Sequence, residues 1–364
     1  MRSILVIFGT RPEGIKMCPL VTELKKRQGL ATSVCVTGQH RGMLRGVLAA
    51  FSVIPNYDLA VMREGQTLSD MTARMLSGLE RVLREARPDL VLVHGDTTTA
   101  FAASLACFYH RIPVGHVEAG LRTYDLAAPF PEEFNRRAVA LTAAHHFAPT
   151  EDARGNLLRE GIVPSAITVT GNTVVDALAM TVRRTYSHPL LDWGQGSRLI
   201  LLTAHRRENL GAPMEEAFRA VRRVVEQHPD VRVICPVHKN PAVGEVARRV
   251  FANCPRICLT EPQEVVPFHN LLARCYLVLT DSGGIQEEAS ALGKPVLVLR
   301  SATERPEGLA AGSLRLVGTD GRQVEDAFCR LLDDADEYRR MTGRANPYGD
   351  GTACRRIADV VEDL

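Results

Sequence analysis

Short, wholly apolar runs alternate along the chain with longer stretches whose apolar residues recur every three or four positions. Runs of the first kind predict strands buried on both faces, and stretches of the second kind predict amphipathic helices. A first series of strands is expected at Ser3–Phe8, Ser33–Thr37, Leu90–His94, Val114–Val117 and Ile167–Thr170, with helices such as Pro19–Gln28, Thr67–Arg87 and Glu132–Ala144 between them. A second series begins at Arg198–Thr203 and continues through Val231–Pro236, Arg256–Leu259, Leu277–Thr280, Pro295–Leu299 and Leu314–Val317. Buried strands alternating with helices predict α/β structure with parallel sheets covered on both faces, and two such series predict two doubly wound units. The boundary is expected between Thr173 and Arg198, where Tyr186–Ser197 (YSHPLLDWGQGS) is rich in turn formers. The last stretch, from about Thr352 to Leu364, is amphipathic and helical, and its pattern allows packing on either unit.

The length of 364 residues agrees with two domains. With 45% hydrophobic and 24% charged residues, the chain has ordinary globular composition. The formal net charge of +2 gives no bulk attraction to nucleic acid or to a membrane, so an anionic ligand has to be held by a local cluster of cations. The apolar stretch of the N-terminal MRSILVIFGTRPEG is too short to span a bilayer and no small-residue cleavage site follows it, which reads as a buried first strand and a cytoplasmic protein. The nine cysteines are scattered, and the close pair Cys254 and Cys258 has no second Cys or His pair nearby to complete a zinc pattern. They are expected to be reduced and mostly buried.

In open α/β sheets ligands bind beyond the carboxyl ends of the strands, so those positions carry the candidate chemistry. Gly9-Thr10-Arg11-Pro12-Glu13-Gly14-Ile15-Lys16 follows the first strand. Thr10 can cap a helix starting at Pro12, aiming free N–H groups and a positive dipole end at an anion, with Arg11 and Lys16 beside it. It is not a dinucleotide fingerprint. His94-Gly95-Asp96-Thr97-Thr98-Thr99 and His116-Val117-Glu118-Ala119-Gly120-Leu121-Arg122 each put a carboxylate at a strand end, and Pro129-Phe130-Pro131-Glu132-Glu133 carries more into a helix start. Any one of these acids alone reads as a helix cap or a surface charge. Acids at neighbouring strand ends converge, and convergent carboxylates suit proton transfer.

The second series supplies the opposite charge: His205-Arg206-Arg207-Glu208-Asn209, then Pro236-Val237-His238-Lys239-Asn240. Thr280-Asp281-Ser282-Gly283-Gly284-Ile285-Gln286-Glu287-Glu288 combines a strand end, a Ser-Gly-Gly turn and a helix start, the pattern of a backbone nest for phosphate oxygens. Glu288, one helical turn in, is placed to hold a ribose diol, and Thr303-Glu304-Arg305-Pro306-Glu307 adds another arginine. Acids on one domain and cations with a phosphate nest on the other suit a nucleoside diphosphate bonded to a sugar. The nucleotide is expected on the second domain and the sugar against the acids of the first, in a cleft between the two.

The blocks FGTRPEGIKM, VTGQH, LVHGDTTT, GHVEAGLRT, FPEEFNR, TGNTVVDAL, LLTAHRREN, PVHKNP, TDSGGIQEEA, GKPVLVLR, TERPEG and NPYGDG, in this order over essentially the whole chain, closely resemble the bacterial non-hydrolysing UDP-N-acetylglucosamine 2-epimerases. The resemblance implies a glycosyltransferase-B-like architecture of two Rossmann-like domains, a homodimer, and a C-terminal helix that crosses back to the first domain. The expected division is then 1–172 with about 350–364, and 173–349. It implies reversible epimerisation at C2 between UDP-N-acetylglucosamine and UDP-N-acetylmannosamine for cell-surface polysaccharide synthesis, with no cofactor, no metal, and no nucleic-acid or membrane partner.

By the same resemblance Asp96, Glu118 and Glu132 are the acid/base group and His205 is the catalytic histidine near the diphosphate. Arg11 and Lys16 line the catalytic cleft, and Gln263 and Phe268 contact uracil. Ser282, Gly283 and Gly284 form the phosphate nest, Glu288 clamps the ribose, and Arg305 is a further substrate contact. Two stretches depart from the family pattern: Arg300-Ser301-Ala302-Thr303 in place of the usual Arg-Asp-Thr-Thr, and Ala289-Ser290-Ala291 in place of Ala-Pro-Ser. Some members bind a second UDP-N-acetylglucosamine as an activator. Gln39, His40, Gln66, Arg206 and His238 match residues used there, while Gly65 stands where an arginine is often found. A hydrolysing relative, a glycosyltransferase of the same architecture and a non-enzymatic nucleotide-sugar sensor are the alternatives. The set Asp96, Glu118, Glu132 and His205 argues against the sensor, and product analysis separates the rest.

Overall fold

The computed structural model describes residues 1–39, 41–63 and 65–364, with the backbone alone for Arg41 and Arg207. It divides into two compact units, Met1–Met180 with Tyr348–Leu364, and Thr181–Pro347.

The first unit carries β1 (Arg2–Phe8), β2 (Leu30–Val36), β3 (Tyr57–Asp58), β4 (Leu90–His94), β5 (Val114–Val117), β6 (His145–Ala148) and β7 (Ile167–Val169). They form one parallel sheet in the order β3-β2-β1-β4-β5-β6-β7. In the second unit β8 (Arg198–Thr203), β9 (Val231–Pro236), β10 (Ile257–Thr260), β11 (Leu277–Thr280), β12 (Val296–Val298) and β13 (Leu314–Leu316) form a parallel sheet in the order β10-β9-β8-β11-β12-β13. Each order reverses beside its first strand, between β1 and β4 and between β8 and β11. That topological switch point is where a doubly wound sheet opens a crevice for ligand.

The central strands carry near-continuous apolar runs because both faces are covered. Ile4–Phe8 of β1 are fully buried, and Leu5, Ile7, Val91 and Val93 pack with Met75, Leu79 and Val82 of the helix Leu68–Ala86. In the second unit Ile200, Leu202 and Val233 pack with Phe218, Val221 and Phe328. Each such side chain contributes about 1.5–3 kcal/mol on burial.

The boundary at 180/181 lies one helix beyond the expected 172/173. The helix Thr173–Thr181 stays with the first unit because Asp176 accepts hydrogen bonds from Ala353 N (3.2 Å) and Cys354 N (3.0 Å), the start of the C-terminal helix Ala353–Asp363. That helix is further tied by Arg27 to Asp359 (2.7 Å) and Glu362 (3.2 Å). Two strands were not expected, the two-residue β3 and the histidine-led β6 (HHFA), whose composition hides the apolar run. The helix expected at Pro19–Gln28 instead spans Arg11–Leu24 with Pro19 inside it, since the Thr10 cap sets the start. Among the described residues no helix is long and apolar enough to cross a membrane.

Candidate active site

In the first unit, Thr10 caps the helix after β1 reciprocally with Glu13, whose carboxylate accepts from Gly9 N (3.0 Å), Thr10 N (2.7 Å) and Thr97 Oγ1 (2.6 Å). Glu13 is buried, and burial pushes its pKa up against these hydrogen bonds. It staples the turn after β1 to the turn after β4. Gly9 is required here, because a Cβ would lie 2.0 Å from Thr37 Oγ1 and 2.4 Å from Thr99 Oγ1.

This turn sends Lys16, itself buried, to an ion pair with Glu118. Glu118 follows β5 with φ of +61°, a left-handed conformation that costs a non-glycine residue about 1–2 kcal/mol. The surroundings hold it there: its side chain is 9% exposed, accepts from Asn172 Nδ2 (2.8 Å), and stands 3.7 Å from His94 Nε2. His94, the last residue of β4, has its pKa pushed down to about 4 by burial, with Lys16 adding to the effect and Glu118 and Asp96 opposing it. It is a neutral imidazole at neutral pH.

Asp96 lies two residues past β4, which is the neighbour of β5, so the two acids do stand at adjacent strand ends. Its carboxylate pairs with Arg136 and its carbonyl accepts from Asn135 Nδ2 (2.9 Å). Both partners belong to the helix Glu132–Thr142, which Glu132 opens four residues before Arg136, on the same face. Glu133 has a structural part: fully buried, it accepts from Thr123 N (3.0 Å) and Tyr124 N (3.1 Å) and fixes the loop after β5. Arg11 is half-buried at the start of its helix.

In the second unit the organising residue is Asp281, which sequence reasoning passed over as part of the Ser-Gly-Gly turn. Buried directly after β11, it accepts from His205 N (2.9 Å), Arg206 N (2.8 Å) and Asn209 Nδ2 (3.2 Å), and so pins the loop after β8. The His205 ring stacks on His238 at 5.1 Å. Burial lowers the His205 pKa, Asp281 opposes this, and His238 and Arg206 add to it.

Ser282 precedes the helix Gly283–Ala291 and makes no side-chain cap on its first-turn amides, while its own N–H donates to Thr280 Oγ1 (3.0 Å). Arg305 lies across Gly283, where a Cβ would stand 2.9 Å from the guanidinium carbon. Glu287 (2.9 Å) and Glu304 (3.4 Å) hold that guanidinium. Burial would raise the Glu304 pKa, but Arg305 and Arg300 outweigh it and bring it down to about 2. Glu288 Oε1 is 3.7 Å from His269 Nε2, and His269 Nδ1 is 2.7 Å from Thr181 Oγ1. Phe268 is buried on the helix Val265–Arg274, and Gln263 Nε2 donates to Glu261 O (2.7 Å) just before it. The departures Ser301 and Ala302 are exposed.

Of the residues matched to an activator site, Gln39 accepts from Thr99 Oγ1 (3.3 Å) and Gln66 from Arg63 N (3.0 Å) in the first unit. Arg206 Nε donates to Asp281 O (3.3 Å) and His238 is exposed in the second. His40 lies outside the described residues.

A family profile described as UDP-N-acetylglucosamine 2-epimerase matches residues 22–362. The chain belongs to the UDP-N-acetylglucosamine 2-epimerase family. Membership makes it an enzyme of the isomerase class. A Bacillus subtilis UDP-N-acetylglucosamine 2-epimerase is 55% identical over 357 residues, 98% of this chain and 94% of the relative. The Neisseria meningitidis UDP-GlcNAc 2-epimerase, solved bound to UDP-GlcNAc, matches with a TM-score of 0.94 at 44% identity over 100% of both chains. The Methanocaldococcus jannaschii UDP-GlcNAc 2-epimerase, solved in complex with UDP-GlcNAc and UDP, matches at 0.86 with 32% identity over 100% of both. These epimerases share the two-sheet, glycosyltransferase-B-like architecture seen here.

Proposed function

We propose that the chain interconverts UDP-N-acetylglucosamine and UDP-N-acetylmannosamine by eliminating UDP and adding it back. The observation that carries this reading is the left-handed Glu118, held by Lys16 and Asn172 beside a neutral His94, with Asp96 on the neighbouring strand end. It is a preorganised acid/base group of the kind proton transfer at carbon needs. The C2–H of the sugar is not adjacent to a carbonyl, so its acidity has to come from C1. As the bond from C1 to the UDP oxygen breaks, positive charge builds at C1. A carboxylate of Asp96, Glu118 or Glu132 takes the C2 proton, the C–H electrons form the C1–C2 double bond, and UDP leaves with the C–O pair. The glucal-type intermediate then receives a proton on the other face of C2 and UDP returns to C1.

In this reading the second unit holds the nucleotide. Gln263 and Phe268 contact uracil, Glu288 clamps the ribose, and the amides of Ser282, Gly283 and Gly284, with Arg305 and His205, receive the diphosphate, where donors fixed in advance stabilise the leaving charge. Arg11 and Lys16 serve the sugar and its phosphate from the first unit. The enzyme needs neither cofactor nor metal for the reaction, works in the cytoplasm as a homodimer, and supplies polysaccharide synthesis. Gln39, His40, Gln66, Arg206 and His238 belong to a second nucleotide-sugar site.

The experiment is turnover of UDP-N-acetylglucosamine in heavy water. Deuterium at C2 of UDP-N-acetylmannosamine is expected, with traces of free 2-acetamidoglucal and UDP. Product without C2 deuterium overturns the mechanism, and free N-acetylmannosamine with UDP as the end products replaces epimerisation by hydrolysis.

A further inference from the structure

Away from the residues described above, the second unit gathers a group of side chains that sequence spacing hides. The helix Ala212–Gln227 ends at His228, and the helix Gly321–Asp333 presents Cys329 and Asp333 four residues apart, on one face. The ligand atoms of His228, Cys329 and Asp333 lie within 4.8 Å of one another, and among the described residues this is the group of His, Cys and carboxylate side chains able to converge on one ion.

The hydrogen bonding of the imidazole decides what the group asks for. His228 Nδ1 lies 2.8 Å from Val224 O. A carbonyl only accepts, so Nδ1 carries the hydrogen and Nε2 of the neutral ring is a lone pair. That lone pair faces Asp333 Oδ1 at 3.1 Å. Two acceptors at this distance need a positive centre shared between them, either a proton or a metal ion. A bond from one ring nitrogen to a backbone carbonyl is also the usual outer-shell arrangement that orients a histidine for metal. The nearby Cys329 thiol, 3.7 Å from Gln227 Oε1, adds a sulfur ligand that a mere His–Asp ion pair has no use for.

We propose that His228, Cys329 and Asp333 bind one borderline-soft divalent transition ion, zinc by type, which clasps the ends of the two helices. Imidazole, thiolate and carboxylate together favour zinc, cobalt or nickel over the oxygen-seeking magnesium and calcium. Tetrahedral zinc sets its ligand atoms roughly 3.3–3.8 Å apart, within reach of small side-chain rotations from the observed spacing. On binding, the Cys329 thiol gives up its proton to solvent, the metal takes the Nε2 lone pair, and water fills the fourth position. The role is stabilisation. Both helices end here before the chain turns back, and His228 lies just ahead of the first residue of β9, whereas the ligand-binding loops follow the carboxyl ends of the strands.

The test uses tag-free protein, stripped with chelator and titrated with cobalt(II). A thiolate-to-cobalt charge-transfer band that saturates at one equivalent is expected, displaced by zinc, together with a zinc-dependent rise in Tm. C329S and H228Q are expected to lose the band and the zinc-dependent Tm rise, each variant being compared with and without zinc, while keeping the turnover of the stripped wild type. Absence of a saturable charge-transfer band in the wild type, or a zinc-dependent Tm rise that persists unchanged in C329S, overturns the proposal and leaves a proton-bridged His–Asp pair. Since the readouts are spectral and thermal, failure of the proposed epimerisation leaves this result untouched.

Discussion

Lowering the pH from 7 to about 5.5 should destabilise the first unit through its buried histidines. His94, His116 and His146 stand on the neighbouring strands β4, β5 and β6, each 4% exposed or less. Burial lowers their pKa values to about 4, about 3 and about 4. In the unfolded chain each returns to about 6.5. Between those values the unfolded state binds more protons than the folded one, so stability falls as the pH falls through 6.5 and towards 4. Integrating from pH 7 to 5.5 gives about 1.2 kcal/mol per histidine and roughly 4 kcal/mol for the three. Because the folded values lie far below this window, the result rests on the unfolded pKa and hardly on how deep each shift is. Glu13, whose pKa burial raises, acts with the opposite sign and offsets part of the loss. Glu304, held at about 2, contributes only below about pH 5. The assay is urea unfolding followed by far-ultraviolet circular dichroism. The fluorescence of the sole tryptophan, Trp193, reports the second unit in the same samples. His146→Gln should flatten the pH dependence by about a third. A urea midpoint that is the same at both pH values would refute the reasoning.

Three further outcomes follow from the site. Asp96→Asn and Glu118→Gln are each expected to lower kcat by roughly 10²–10⁴-fold, as removal of an acid/base group does, and His205→Ala by roughly 10²–10³-fold, as removal of a donor to the leaving charge does, all with much smaller effects on Tm; near-normal turnover in any of them takes that residue out of the catalytic set. Glu288→Ala should raise KM and leave kcat close to normal, because a ribose clamp binds ground state and transition state alike; steady-state kinetics showing a large kcat loss at unchanged KM contradict that role. Gly283→Ala drives a Cβ to within 2.9 Å of the Arg305 guanidinium carbon, so UDP binding by calorimetry should weaken about tenfold as Arg305 is displaced, about 1.4 kcal/mol.

The sheets are legible in the sequence because parallel strands covered on both faces carry near-continuous apolar runs, as in LVLV of β4 and LILL of β8. What escaped had no such signature. β3 is two residues long, and β6 begins with two histidines that read as polar until their burial is known. The helix after β1 carries two signals in the sequence: Pro19 reads as the start of the stretch Pro19–Gln28, while Thr10 reads as the cap of a helix beginning at Pro12, and the capping box of Thr10 with Glu13 decides for the early start. The unit boundary was placed early for a related reason. Asp176 reads as an ordinary first-turn acid, and its binding to the amides of Ala353 and Cys354 is a long-range fact with no local trace.

The candidate site divides in the same way, and the division has a physical cause. The groups proposed to act on the ligand sit where the strands end, and strand ends can be found by following apolar runs to their last residue. That is how Asp96, Glu118, His205 and the Ser-Gly-Gly turn come to light. The groups that hold these residues in place lie elsewhere in the chain. Asn172 supports Glu118 from 54 residues away, Arg136 supports Asp96 from 40, and Asp281 fixes the backbone of His205 from 76. The left-handed Glu118 shows why such support matters. A strained acid keeps its conformation only while its surroundings over-determine it, and here they do so with an ammonium and an amide drawn from two other segments. Removing Asn172 should therefore loosen Glu118 without touching the reacting atoms. Asn172→Ala is expected to reduce kcat at an unchanged substrate KM, with partial recovery in Asn172→Gln, whose longer side chain keeps the amide donor. If Asn172→Ala turns over normally, the Asn172 amide is not what keeps Glu118 in its left-handed conformation, and the reasoning fails.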